Sequence, residues 1–75
     1  MKNYRIYARL QGQSNFKPMD WNAGQQVTNL IYATIIPESN LQLAKDAVDK
    51  AFIINEGIEL QIRDIESNKL IHRTN

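Results

Sequence analysis

The chain has no cysteine, a single histidine, a single tryptophan, three glycines and two prolines in its 75 residues. Without cysteine, neither a disulfide framework nor a thiolate metal site is available to stabilise so short a chain, which fits a reducing compartment. With one histidine, metal ligands would have to be carboxylates. Asp46 and Asp49 are flanked by Lys45 and Lys50, the pattern of a solvated, charge-balanced helix face. Asp64 and Glu66 lie beside a turn signal with no third ligand in view. Gly12, Gly24 and Gly57 stand alone, so no glycine-rich phosphate loop is present. Nucleophilic catalysis needs an activated side chain beside a base. His72 sits near the C-terminus, where chains usually fray, and reads as a solvated tail histidine. The expectation is a protein that is not an enzyme and takes neither metal nor cofactor.

Long apolar runs are missing too. No segment approaches the roughly 20 apolar residues needed to cross a bilayer. The start, "MKNYRIYARL", alternates polar and apolar residues and lacks the apolar stretch of a signal peptide. The expected setting is cytoplasmic, with no membrane partner. An excess of either charge sign is missing: the net charge is +1, divided as +3 over residues 1–37 and −2 over residues 38–75. That imbalance is too weak to imply nucleic-acid binding by itself. One domain of this size needs nearly all its apolar residues in one core, or a partner that extends the core.

What is present reads as strands and one helix. In "YRIYARL", residues 4–10, Tyr4, Ile6, Ala8 and Leu10 share one face while Arg5, Tyr7 and Arg9 share the other, the period of a half-buried strand. "QGQSN" is a turn in which Gly12 takes positive φ. Residues 16–20 return as a short strand that Pro18 confines to an edge or a bulge. Residues 27–36 carry no charge and are apolar on both faces, which predicts a central strand, since such a run left at an edge would template aggregation. The helix spans about 40–54, with Ser39 and Gln42 spaced as a capping box and Gly57 placed for a left-handed C-terminal residue. Residues 58–64 resume period two, and 69–73 read as either a short fifth strand or an ordered tail. The predicted architecture is a single α+β domain: a mainly antiparallel sheet of three to five strands in β-β-β-α-β order, with one helix packed on one face.

One helix leaves the other sheet face open. By the phases above, that face displays Arg5, Tyr7 and Arg9, then Leu30 and Tyr32, then Gln61 and Arg63. Leu30 and Tyr32 on a central strand are costly to leave in water. The face therefore predicts a protein partner or self-association as a homodimer. Interleaved arginine and aromatic residues also suit single-stranded nucleic acid, which is the alternative function, with Arg5, Tyr7, Arg9, Tyr32 and Arg63 as the binding groups. Trp21 has two readings: a plug closing the core between sheet and helix with Met19 beside it, or an anchor projecting towards a partner.

The stretches "YRIYAR", Phe16-x-Pro18-Met19-Asp20 and "NLIYAT" at 29–34 resemble small uncharacterised proteins encoded on plasmids, conjugative elements and phage-like regions of low-GC Gram-positive bacteria. The resemblance covers about half the chain and contains no catalytic motif. It implies a role as an accessory or regulatory protein of a mobile element, and it implies no biochemical activity.

Overall fold

Strand β1 (Asn3–Arg9) is the strand on which the others assemble. Its alternation is realised in full: Tyr4, Ile6 and Ala8 are buried, and Arg5, Tyr7 and Arg9 lie half-exposed on the opposite face. The computed structural model describes residues 1–74. From Tyr4 to Arg9, β1 pairs antiparallel with β5 (Glu59–Asp64). Two short strands divide its other edge: β2 (Lys17–Asp20) sets Pro18 opposite Tyr7, and β4 (Ile35–Pro37) sets Ile35 opposite Arg5. β3 (Gln25–Gln26) extends the sheet beyond β2, and β6 (Leu70–Arg73) extends it beyond β5. The six strands and the helix α1 (Leu41–Ile54) form the expected α+β domain, in the order β3-β2-β1-β5-β6 with β4 also on β1.

The core lies between the sheet and α1. Ile6, Leu60, Ile62 and Val48 are its largest fully buried side chains, joined by Tyr4, Ala8, Met19 and Ile36. Leu41, Ala44 and Ala51 bring the apolar stripe of α1 onto it. Leu43 and Ile54 lie off that stripe, 69% and 77% exposed. Gly57 has φ of +80°, as its position predicts, and Gln11 packs so close that an added Cβ would lie 3.0 Å from its Oε1.

The uncharged run 27–36 is not the central strand that its composition suggests. Leu30–Tyr32 form one turn of 3-10 helix, and only Ile35–Pro37 pair with the sheet. Local hydrogen bonds supply the reason. Asn29 Oδ1 accepts from Ile31 N at 3.1 Å, and Asn29 O accepts from Tyr32 N at 3.1 Å. Thr34 is bound on both sides, its N–H donating to Met19 O at 3.0 Å and its Oγ1 accepting from Trp21 N at 2.8 Å. Asx-type and threonine side-chain bonds of this kind compete with a strand ladder. β1 takes the central place instead.

Two further expectations give way. The Ser39 capping box does not form, because Glu38–Asn40 wind into a 3-10 turn that runs directly into α1, and Asn40 caps the helix without a side-chain bond. His72 is not a solvated tail residue. It lies in β6, where its Nε2 stands 2.8 Å from Asp49 Oδ1 on the helix.

Candidate functional site

The sheet face turned away from α1 is the candidate site. Three cross-strand pairs, Arg5 opposite Arg63, Tyr7 opposite Gln61 and Arg9 opposite Glu59, place these six side chains on that face. β6 adds Arg73, opposite Gln61, and Leu70, opposite Arg63. Pro18 stands on the other side of Tyr7. Four guanidinium groups thus share this face with two carboxylates, Glu59, which is ion-paired to Arg9, and Asp20, which lies on the Pro18 side of β2, the side opposite the buried Met19.

Like charges directly opposite across two strands repel. Arg63 is held against Tyr7 and Gln61. Its guanidinium carbon lies 4.1 Å from the centroid of the Tyr7 ring, and its Nε and Nη2 donate to Gln61 Oε1 at 3.0 and 2.7 Å. Phe16, just before β2, is approached by two guanidinium groups, with Arg9 at 4.8 Å and Arg63 at 5.9 Å from its centroid. Contacts of this kind are cation–π interactions. They hold Arg9 and Arg63 against aromatic rings. Arg5 and Arg73 have no ion pair and no ring contact among the described residues. Arg5 Nε is shielded from solvent yet has no hydrogen-bond partner.

Of the residues predicted for this face, the structure brings together Arg5, Tyr7, Arg9 and Arg63. Leu30 and Tyr32 do not join them. They sit on the 3-10 turn, 49% and 64% exposed, with Ile31 between them at 76%. The composition of an apolar run does not reveal where it lies, and the misassigned strand carried the two residues with it. Phe16 and Arg73 are the face residues that sequence reasoning missed. Their places follow from the β1–β2 and β5–β6 registers, which no local pattern specifies.

Trp21 is half-buried and packs against the core beside the buried Met19. With Pro37, Leu43, Ala44 and Ala47 it lines a shallow apolar groove of about 260 Å³ between β4 and α1. This is the core-plug arrangement. Asp64 is the buried carboxylate of the structure, and its Oδ1 accepts from Glu66 N at 2.8 Å and Ser67 N at 3.3 Å. That bonding makes it a turn-forming residue. No group of three or more His, Cys, Asp or Glu side chains able to hold a metal comes together among the described residues, and no described helix is long and apolar enough to cross a membrane.

Compared with protein-family models, curated proteins and solved structures, the chain matches none.

Proposed function

We propose that the chain is a non-enzymatic interaction module that docks an anionic partner through its open sheet face, with Arg5, Tyr7, Arg9 and Arg63 as the contact residues. The observation that carries this reading is the face itself: four guanidinium groups against two carboxylates, two of the guanidinium groups held over rings. Arginines already fixed in place lose less side-chain entropy when they bind, and arginine and tyrosine are the residues enriched where interfaces concentrate their energy. A cysteine-free core suits the cytoplasm, and a small docking module suits an accessory or regulatory role in a mobile element, as the "YRIYAR" and "NLIYAT" stretches imply.

The test is an amide-resolved NMR titration with polyanions, polyglutamate and a single-stranded oligonucleotide, at low and then moderate salt. Shifts confined to residues 3–9, 59–64 and 70–73 that fade with salt are expected. No shift on these strands with either polymer would remove the face as a binding surface.

A second reading, self-association as a homodimer, rests on a different surface. Leu30, Ile31 and Tyr32 are three consecutive exposed apolar residues in a stretch with no charge between Asp20 and Glu38. Apolar surface of this kind favours a protein contact. Sedimentation equilibrium of the wild type and of Ile31→Ser/Tyr32→Ser decides it: a dimer that the double substitution dissolves supports the reading, and a monomeric wild type ends it.

A further inference from the structure

We propose that the partner of the open face is single-stranded nucleic acid, with bases stacked on the guanidinium planes of Arg63 and Arg9 and phosphates held by Arg5 and Arg73. This rests on the open face being a binding surface for an anion, and it names which anion.

The arrangement of the four arginines divides them into two kinds. Arg63 lies 4.1 Å from the Tyr7 centroid, with Phe16 further off at 5.9 Å, and Arg9 lies 4.8 Å from the Phe16 centroid, so each guanidinium has a ring close against it. These guanidinium groups compete with a base for the Tyr7 and Phe16 rings. In this proposal a base stacks instead on the guanidinium plane turned away from its nearest ring, since nucleobases stack on arginine planes as they do on aromatic rings. Gln61 fixes the orientation of the Arg63 plane through two hydrogen bonds, at 3.0 and 2.7 Å. A cleft of about 350 Å³ opens beside the second platform, with Arg9, Phe16, Gln61 and Arg73 among its lining residues.

Arg5 and Arg73 differ from these two. Neither has a ring contact or an ion pair among the described residues, which leaves their guanidinium donors, the shielded Arg5 Nε excepted, for phosphate oxygens. They flank the stacked pair across three strands: Arg5 on β1 opposite Arg63, and Arg73 on β6 opposite Gln61. A single strand crossing the face meets charge, plane and charge in turn. A polyglutamate chain would use the charges but has no ring to lay on the planes. A duplex has its bases stacked internally and cannot reach them.

The experiment compares three ligands on the full chain: a short oligothymidylate, an abasic deoxyribose-phosphate polymer of the same length, and polyglutamate. Affinities are measured over a range of salt by fluorescence anisotropy, and the Arg63 Nε–H resonance is followed by NMR. Oligothymidylate is expected to bind tightest and to move that resonance upfield through the ring current of a stacked base. Arg63→Lys keeps the charge but loses the plane. It should weaken oligothymidylate binding roughly tenfold, the order expected for one lost stack, with the salt slope unchanged. Arg9→Lys should act in the same direction, which guards against a local effect of either change. Arg73→Gln should instead lower the salt slope by about 0.7, one single-strand phosphate, and leave the preference for bases over the abasic polymer intact. Equal binding of the abasic polymer and oligothymidylate, or tighter binding of polyglutamate, overturns this inference while the anion-binding face survives. If none of the three binds, the face reading falls as well.

Discussion

The backbone N–H of Trp21 donates to the Oγ1 of Thr34 at 2.8 Å, tying the loop after β2 to the approach of β4. Thr34 N–H in turn reaches Met19 O, so two bonds clamp the same crossing and hold Trp21 against the core. Thr34→Val keeps the shape of the side chain and removes the acceptor, leaving a half-buried N–H with no partner. The expected loss is about 1 kcal/mol, read as a lower urea midpoint at unchanged slope. Tryptophan fluorescence reports the transition directly, because Trp21 is the only tryptophan. An unchanged midpoint would mean that the bond does not hold the loop.

Placing the uncharged run on a turn makes an energetic prediction that differs from a central strand. Leu60 is fully buried between sheet and helix, and Leu60→Ala should cost about 2–5 kcal/mol, enough to unfold a domain of marginal stability. Ile31→Ser and Tyr32→Ser lie on the exposed 3-10 turn and should change stability by no more than about 0.5 kcal/mol. Urea denaturation of each variant checks this. A loss of several kcal/mol at Ile31 would restore the run to the core.

The parts of the fold that were legible in the sequence are those with one wet and one dry face. β1 and β5 each alternate because α1 covers only one side of the sheet, and the helix shows its stripe for the same reason. Residues 27–36 broke that logic. With no charged residue to mark a solvated side, the run looked buried on both faces, yet only Ala33 and Ile36 of it are buried. The informative residues were Asn29 and Thr34, whose side chains bind nearby backbone and favour a turn. The open face was legible residue by residue along β1 and β5, and illegible across strands. That Arg63 would lie on Tyr7 and Arg9 on Phe16 depends on registers set by the whole sheet.

Asp64 ends β5 and starts the turn to β6. Its side chain is 7% exposed and accepts from Glu66 N and Ser67 N, while Asn68, at φ of +59°, donates its N–H to Asp64 O at 2.8 Å. Asp64→Ala removes the acceptor for two turn amides and should cost about 1–3 kcal/mol. Asp64→Asn retains an amide oxygen in the same place and should lose distinctly less. Lys2 Nζ lies 3.9 Å from Asp64 Oδ2 but is largely exposed, so Lys2→Ala should be nearly neutral. Thermal melts of the three variants should give that order. A loss at Lys2→Ala as large as at Asp64→Ala would make the ion pair, not the turn, the role of Asp64.

Tyr4 is expected to set an alkaline limit on the fold. Its ring is buried in the core, and its hydroxyl donates to Glu38 Oε1 at 3.2 Å. Burial, the negative charge of Glu38, the hydrogen bond to it and the charge of Asp64 all raise its pKa above the ordinary 10.0. Each of these disfavours the phenolate in the folded chain. In the unfolded chain Tyr4 therefore releases its proton first as pH rises. Its contribution to stability is constant below about pH 10 and falls as pH climbs from there towards the folded value. Tyr4→Phe removes the proton altogether. Urea midpoints measured from neutral pH upwards should decline more steeply for the wild type than for Tyr4→Phe once pH passes about 10. Parallel profiles would show that another group sets the alkaline limit.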